Sequence, residues 1–405
     1  MTEIYPYALV PEDPTQQIVV CWLDDRTDAD GSSQTLDYND GSVSADGDLL
    51  PDTGAYIYHA EIDGLEPDTA YSGQIDGEKS VEWETLPESL AGDELKLVVH
   101  SDLHIDRGDG MDDPEQMEPL EAEDPDIVLL LGDQVSWADE VGEEDGYYMT
   151  YLTEYLPILN QDRLRPIFFT PGNHDVGNHS WDGTGSVDPD TGYIDYVWPY
   201  PKSLDPTGEN YGEVTIGNYL QLLGLDTHSA HPEDVADWMD EAIDETVNFS
   251  LPIHHSPLFP GGDRNDADKD LQELLRDEWA GRLYQADNIH CHFSGHIHLR
   301  SRSLPWEVSD SDDDDSEEIP EGYVVEKDDG RRVVEFGGGW SDGRRPDRYW
   351  FLEESRAQNQ YYSVTVKEDL LTVEELRPNG SRYHVRSFGP RRASLSGATL
   401  SNATF

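Results

Sequence analysis

The chain has 405 residues, and its 87 Asp and Glu against 26 Lys and Arg give a formal net charge of −61. This charge excludes a nucleic-acid duplex as the expected partner, because phosphate contacts need clusters of Lys and Arg, and the lack of any apolar run of about 18 residues excludes a membrane span. The acids are interleaved with apolar strands, which is typical of a surface adapted to molar salt rather than of a disordered chain.

The beginning of the chain shows no targeting signal. Met1–Tyr5 lack the basic and apolar segments of a signal peptide. Cys21 and Cys291 are far apart in sequence, which argues against a disulfide framework. We therefore expect a soluble protein without a signal peptide, either cytoplasmic in a halophile or associated with a virion.

Residues 1–92 have the pattern of an all-β domain. Apolar strands are predicted at Gln17–Trp22 and Ala55–Ile62. Asp-Gly, Pro-Asp and Gly-rich turns lie between and after them, and no helical periodicity intervenes. We predict a small β-sandwich for this segment.

Residues 93–388 alternate strands with helices, which predicts an α/β fold. Helices are expected at about 114–123, 143–158, 232–246 and 266–284. Five predicted strands are followed by Asp, Asn or His, and they cover 95–100, 126–131, 166–170, 247–253 and 288–293. Strands at 361–367 and 370–376 are expected to form a hairpin. Ligands gather at the carboxyl ends of strands in open α/β sheets.

The residues that follow these strands are of the types that bind metal ions. In chain order they are Asp102, His104, Asp133, Asn173, His255, His296 and His298. Asp102 and His104 are two residues apart, so both can face one pocket, and Asp133 could bridge two cations. This mixed oxygen and nitrogen set suits Mn, Fe or Zn. It is too large for one ion and suits two divalent ions about 3.5–4 Å apart, an arrangement used for phosphoryl displacement.

These motifs resemble those of the calcineurin-like metallophosphoesterase superfamily. The match comprises Asp102-Leu103-His104, Gly132-Asp133, Gly172-Asn173-His174-Asp175, His255 and Gly295-His296-Ile297-His298. The resemblance extends from about residue 93 to 376. It implies a four-layer αββα sandwich with a dinuclear site. The implied reaction is hydrolysis of phosphate monoesters or diesters by a metal-bound hydroxide.

The resemblance also implies roles for single residues. One metal would be held by Asp102, His104, Asp133 and His298, and the other by Asp133, Asn173, His255 and His296. His174 would lie beside the leaving-group oxygen, as general acid or phosphate contact, and Asp175 would orient its ring. His255 is preferred to His254 because His-Ser-Pro matches the family's His-x-Pro. Since neighbours on a strand face opposite ways, His254 would then be a packed or supporting residue.

The N-terminal segment adds a second resemblance. Residues 64–71, Gly-Leu-Glu-Pro-Asp-Thr-Ala-Tyr, resemble a fibronectin type III signature, and such a domain before the phosphoesterase domain is similar to the purple acid phosphatases. The chain departs from that family at His104, where the family has glycine, and at Ser136, where the family has a tyrosine ligand. We therefore expect a pair of divalent ions rather than a ferric charge-transfer site.

The end of the chain differs from the rest in charge. After Glu375 there are five arginines and no acid, and residues 389–405 are small and polar. We expect an extended tail that docks on an acidic partner, as in a homo-oligomer or a larger assembly. The alternative to an enzyme is therefore a structural or adhesion component of an assembly, such as a virion, that retains the phosphoesterase fold and metal site.

Overall fold

A computed structural model of the protein describes residues 3–26, 29–39, 41–50, 53–105, 113–135, 147–176, 194, 197–198, 210–262, 266–306, 333–340, 346 and 351–389. Strands account for most of its regular structure. They are β1 (Ile4–Leu9), β2 (Ile18–Asp24), β3 (Gln34–Tyr38), β4 (Gly41–Ala45), β5 (Asp48–Leu49), β6 (Tyr56–Ile62), β7 (Ala70–Ile75), β8 (Lys79–Glu84), β9 (Leu95–His100), β10 (Ile127–Leu130), β11 (Pro166–Phe169), β12 (Gly212–Ile216), β13 (Leu220–Leu225), β14 (Phe249–His254), β15 (Cys291–Ser294), β16 (Arg300–Ser303), β17 (Val334–Gly337), β18 (Leu352–Arg356), β19 (Tyr361–Lys367), β20 (Leu370–Leu376) and β21 (Arg382–Phe388).

The helices occupy the four regions predicted from the sequence. They are α1 (Glu118–Glu121), α2 (Tyr147–Thr150), α3 (Leu156–Leu159), α4 (Pro232–Ala242), α5 (Asp266–Leu275) and α6 (Gly281–Gln285). A 3₁₀ turn precedes α1, and single π-helical turns join α2 to α3 and α5 to α6. Among the described residues, no helix is long and apolar enough to cross a membrane.

The sequence of α4 explains why this segment is helical. Pro232 stands in its first turn with Glu233 and Asp234. The backbone nitrogen at this position has no partner inside the helix, so proline costs no hydrogen bond there. The two acidic side chains interact favourably with the positive end of the helix dipole. Its buried face includes Val235, Ala236 and Met239. Met239 follows the other two by four and three residues, the spacing of one face of a helix.

Two large sheets form the centre of the molecule. The ten-stranded sheet has the order β21-β20-β19-β9-β10-β11-β1-β2-β6-β5, and the seven-stranded sheet has the order β12-β13-β14-β15-β17-β16-β18. Strands β9, β10, β11 and β1 are parallel in the first sheet. Strands β13, β14, β15 and β17 are parallel in the second. The parallel strands place their carboxyl ends together at one edge of each sheet.

Apolar side chains hold four layers together. Alternate residues of both sheets, including Leu97, Leu129 and Leu251, share one buried core. The opposite face of the ten-stranded sheet packs on the helices α1–α3, and that of the seven-stranded sheet packs on α4–α6. The order of layers is therefore helix, sheet, sheet and helix.

The N-terminal strands are joined to the central sheet. Strand β1 pairs in parallel with β11, with Leu9 opposite Ile167, so β1, β2, β6 and β5 continue the ten-stranded sheet. A separate sheet, in the order β4-β3-β7-β8, packs on these strands around Trp22, Tyr58 and Trp83. Residues 1–92 thus contain two packed layers, one of which runs on into the rest of the molecule. The division at residue 92 stays a prediction, and residues 390–405 of the predicted tail lie outside the described ranges.

Candidate metal centre

The loops that follow five parallel strands bring the predicted ligands together. Asp102 and His104 follow β9, and Asp133 follows β10. Asn173 follows β11, His255 follows β14, and His296 and His298 follow β15. All of these side chains are buried. The two central sheets therefore contribute jointly to one cluster, as expected where the carboxyl ends of parallel strands meet.

One group within the cluster consists of Asp102, His104, Asp133 and His298. One ligand atom from each of these residues lies within 4.8 Å of the others. His104 Nε2 is 2.8 Å from His298 Nε2 and 3.5 Å from Asp133 Oδ2, and His298 Nε2 is 3.3 Å from Asp102 Oδ1. The atoms are the oxygen and nitrogen donors that a transition-metal ion of the predicted classes prefers.

A second group shares Asp133 with the first. Asp133 Oδ2 is 3.1 Å from His255 Nε2. Asn173 Oδ1 is 2.9 Å from His296 Nδ1 and 3.3 Å from His255 Nε2. His255 Nδ1 lies 2.7 Å from the carbonyl oxygen of Leu131. Because a carbonyl oxygen only accepts, Nδ1 carries a hydrogen, and Nε2 is the nitrogen that can bind a metal once its own proton is released.

The environment of Asp133 fits a cation. Its Oδ2 is buried, and no donor among the described residues reaches it with good hydrogen-bond geometry. The Nε2 atoms of His255, His104 and His174 lie 3.1, 3.5 and 4.0 Å from this oxygen. A buried oxygen without a well-placed donor costs free energy, and divalent cations between this oxygen and the nitrogens of His104 and His255 would satisfy it. The residues present therefore fit two metal ions that share Asp133.

Electrostatics within the cluster follow from burial and charge. Burial alone would raise the pKa of Asp133, but the positive charges of His255 and His174 hold that pKa well below its usual range. Burial alone would lower the pKa of His255, yet the Asp133 carboxylate raises it to about 9. Without a cation, Asp133 is thus ionised and its neighbour holds a proton, which binding of a metal would release.

The backbone of the cluster is strained at the predicted ligands. Among the described residues, eight that are not glycine have a positive φ. Five of the eight are predicted ligands: Asp102 (57°), His104 (45°), Asp133 (53°), His296 (69°) and His298 (54°). Residues other than glycine avoid this region unless the surroundings impose it, and such strain is concentrated at functional sites.

Two glycines allow the loops after β10 and β11 to approach each other. Gly132 has φ of +89°, and a Cβ on it would lie 2.2 Å from the Gly172 nitrogen. A Cβ on Gly172 would lie 2.2 Å from Asp133 Oδ1. A side chain at Gly132 would therefore push the two loops apart, and one at Gly172 would displace the Asp133 carboxylate.

Asp175 is held at both carboxylate oxygens by hydrogen bonds. Its Oδ2 accepts hydrogen bonds from the backbone nitrogens of Asp133 (2.6 Å) and Gly172 (2.8 Å). Its Oδ1 accepts one from the hydroxyl of Tyr148 (2.9 Å). Both oxygens are thus engaged by the loops after β10 and β11 and by α2. The orienting role of Asp175 for the ring of His174 stays a prediction. Burial and the nearby charge of Asp133 raise the pKa of Asp175 to about 7.

His174 lies at the edge of the cluster. Its backbone nitrogen donates to Asp133 Oδ1 at 2.9 Å. Its ring stands edge-on to His104, with centroids 4.6 Å apart. The side chain is 12% exposed, whereas the Asp133 side chain is 1% exposed. His174 is therefore placed where a molecule from solvent could meet it.

The alternatives at His254 and His255 are separated by their surroundings. His255 contacts Asp133 and Asn173. His254 points to the opposite face of the sheet, where its Nε2 lies 2.8 Å from His292 Nδ1. Ser136, where the purple acid phosphatases have a tyrosine, lies outside the described residues.

His228 belongs to the cluster but carries no sequence motif. It follows β13 and is 1% exposed, and its ring centroid lies 5.4 Å from that of His255 and 5.5 Å from that of His296. A nitrogen from each of the three imidazoles lies within 4.8 Å of the others. Its position just after an apolar strand, in Leu225-Asp226-Thr227-His228, is the signal that could have identified it.

Comparisons with known proteins agree with this geometry. The model of the family described as calcineurin-like phosphoesterase matches residues 95–300, about half of the chain. Among solved structures, the chain is similar to one described as the structure of PhoD, with 13% identity, a TM-score of 0.65, and coverage of 96% of this chain and 90% of that chain. At this identity the likeness shows the fold alone.

Other comparisons add little to this assignment. GAP50, described as the anchor in the inner membrane complex of Plasmodium, matches with 12% identity and a TM-score of 0.46, over 74% of this chain and 90% of that chain. A search of curated proteins found no match. The family match covers the strands and loops that carry the cluster, and the chain therefore belongs to the calcineurin-like phosphoesterase family.

Proposed function

We propose that the protein is a dinuclear, metal-dependent phosphoesterase that hydrolyses phosphate monoesters or diesters. Membership of the family supports metal-dependent hydrolysis. The observation that carries the dinuclear proposal is the buried Oδ2 atom of Asp133, which lies 3.5 Å from His104 Nε2 and 3.1 Å from His255 Nε2. One carboxylate thus serves both groups of ligands.

The two groups define the two metal sites. One would be formed by Asp102, His104, Asp133 and His298, and the other by Asp133, Asn173, His255 and His296. Mn, Fe or Zn suits these donors. When bound, two divalent cations would stabilise charge on the phosphate and make a bound water more acidic. Their charge of about +4 would also allow a protein with a net charge of −61 to bind an anionic ester.

His174 is the residue that we assign to the leaving group. It is the most exposed of the imidazoles around Asp133, and its backbone is fixed by the hydrogen bond to Asp133 Oδ1. Its ring could therefore donate a proton or a hydrogen bond to the departing oxygen. Asp175 supports this arrangement indirectly, because it holds the backbone of Asp133 and Gly172.

Turnover and metal content of single variants test the proposal. The protein would be purified in about molar KCl, its metal content measured, and aryl phosphate monoesters and diesters assayed with Mn²⁺. His174→Ala should reduce turnover by about 10²–10⁴-fold with two metals still bound, whereas Asp133→Asn should lose metal as well. His384→Ala, on the edge strand β21, is the matched control and should behave like the wild type.

Other outcomes would favour different conclusions. Absence of bound metal in the presence of Mn²⁺ would contradict the proposal. Two bound metals with no hydrolysis of any ester would favour the structural or adhesion role in an assembly. That alternative depends on the basic tail, which lies mostly outside the described residues.

A further inference from the structure

A second group of polar side chains lies on the face of the seven-stranded sheet that packs against α4–α6. His254 ends β14, His292 lies in β15 and Glu335 lies in β17. These strands are parallel neighbours, and His292 stands opposite Glu335 in the register. The proposed hydrolytic site does not use these residues, so their presence in the interior needs another explanation.

The three side chains converge on one point. One nitrogen of each imidazole and one oxygen of Glu335 lie within 4.8 Å of one another. His254 Nδ1 is 2.8 Å from the carbonyl oxygen of Ser256, so this nitrogen carries the hydrogen and Nε2 carries the lone pair. That lone pair faces His292 Nδ1 at 2.8 Å.

Glu335 is held by two backbone hydrogen bonds. Its Oε1 accepts from the backbone nitrogen of Leu258 at 3.0 Å, and its Oε2 accepts from that of Phe259 at 2.6 Å. These bonds favour the ionised form, whereas burial raises the pKa of the carboxyl, to about 7. The residue is 1% exposed and forms no ion pair with any Lys or Arg among the described residues. The ionised form of Glu335 would therefore be buried without a direct counter-ion, which is costly, and a cation would remove that cost.

The surroundings supply little polarity. The ring of Trp279 stands edge-on to His254, and that of Trp306 stands edge-on to His292, at centroid distances of 6.0 and 5.8 Å. Both tryptophans belong to the apolar core under α4–α6. His292 Nε2 is buried and has no hydrogen-bond partner within the part of the chain that the structure describes. A divalent cation would both neutralise the carboxylate and occupy the imidazole nitrogens.

We propose that His254, His292 and Glu335 bind a further divalent cation, of the Zn²⁺ or Fe²⁺ class, separate from the hydrolytic centre. Two imidazoles and one carboxylate suit these cations. Two nitrogens on one tetrahedral cation with bonds of about 2.0–2.1 Å are about 3.3 Å apart. Binding therefore requires the 2.8 Å gap between the imidazoles to widen slightly.

The site would act structurally. It would join β14, β15 and β17 on the face of the sheet that packs against α4–α6. The loops that carry His255 and His296 begin directly after β14 and β15. A cation there would fix the end of β14, where His254 immediately precedes His255. It is distinct from the hydrolytic site because its ligands face the helical layer.

Titration of the metal-free protein with Co²⁺ tests the proposal. Bound Co²⁺ would be counted after gel filtration, and its visible absorption would report the ligands. We expect three equivalents in the wild type and two in Glu335→Gln and in His292→Phe. The first variant removes the charge at constant shape, and the second fills the space with an apolar ring. The matched control His290→Phe, just before β15, should retain three.

A hydrolytic-site variant separates this proposal from the proposed function. His104→Ala combined with Asp133→Asn should retain the equivalent bound by His254, His292 and Glu335, and loss of all Co²⁺ from it would overturn the inference. The inference would also be overturned if the wild type bound two equivalents and neither Glu335→Gln nor His292→Phe changed that number. His254, His292 and Glu335 would then form a hydrogen-bonded chain without a cation. If neither triad variant folds, the hydrolytic-site variant alone decides.

Discussion

At the scale of single residues, Tyr148 and Asp175 connect the helical layer to the metal centre. The Tyr148 hydroxyl donates to Asp175 Oδ1 at 2.9 Å, and Asp175 Oδ2 holds the backbone nitrogens of Asp133 and Gly172. The Asp175 carboxyl is fully buried, so each donor offsets part of its desolvation. The position of Asp133 thus depends on a tyrosine whose hydroxyl reaches it through Asp175.

Tyr148→Phe should destabilise the protein because it removes one of these donors. We expect the free energy of unfolding to fall by about 1–3 kcal/mol, the cost of a buried acceptor that loses its partner. Urea unfolding at constant Mn²⁺ would measure it. Tyr151→Phe is the matched control: Tyr151 is equally buried, and its hydroxyl has no hydrogen-bond partner among the described residues. Equal losses in the two variants would refute this role of Tyr148.

The cluster of proposed ligands could be predicted from the sequence because each of these residues follows an apolar strand in a short motif. Parallel strands have their carboxyl ends at one edge of the sheet, so residues that follow such strands in the sequence lie close together in the fold. Tyr148 and His228 could not be predicted in this way. Neither stands in a motif, and their contacts with Asp175 and His255 join parts of the chain that only the folded sheet brings together.

At the scale of elements, the loops after β10 and β11 set the geometry of the shared carboxylate. Gly132 and Gly172 let these loops touch, and the backbone nitrogen of His174 donates to Asp133 Oδ1. The strained φ of Asp133 is held by these contacts. The loops therefore act as one unit, and a change in either should be felt at both metal sites.

Gly172→Ala tests the close approach of these loops. The added Cβ would lie 2.2 Å from Asp133 Oδ1 and 2.6 Å from the Asp133 nitrogen, so the carboxylate must move. We expect stability to fall by about 1–3 kcal/mol and Mn²⁺ affinity to fall at least about tenfold, as measured by calorimetric titration. Gly281→Ala, in α6 with no atom within 4 Å of the added Cβ, should leave Mn²⁺ affinity unchanged. Wild-type affinity in Gly172→Ala would show that the loops are not in contact.

The strands that precede the motifs were predictable from the sequence, and strand β1 was not. Strands β9, β10, β11 and β14 are short apolar runs followed by polar residues, which is a strong local signal. Strand β1 contains Pro6, which weakens a strand pattern, and its partner β11 lies more than a hundred residues further along the chain. The sequence therefore predicted two packed β-layers in residues 1–92 but not the continuity of one of them with the central sheet.

At the scale of the whole molecule, this continuity predicts that residues 93–388 do not fold well alone. Without residues 1–92, the edge of β11 would be exposed, and the core under α1–α3 would lose Tyr7, Leu9 and Cys21. We expect the isolated segment to aggregate or to lose cooperative thermal unfolding. Residues 1–389, which lack only the tail, are the control and should unfold like the full chain. A monomeric, cooperative 93–388 that binds metal would establish two independent domains.

The net charge of −61 makes a prediction about salt. Repulsion between carboxylates destabilises the compact state, and the Debye length falls from about 10 Å at 0.1 M salt to about 3 Å at 1 M. With Mn²⁺ in excess at every step, the midpoint of thermal unfolding should rise on the order of 5–10 °C over this range of KCl. Sucrose at matched osmolality is the control, since it is excluded from the protein surface without screening charge. A midpoint that does not respond to KCl, or that sucrose raises equally, would show that charge repulsion does not limit stability. The acidic composition would then not be explained as an adaptation to high salt.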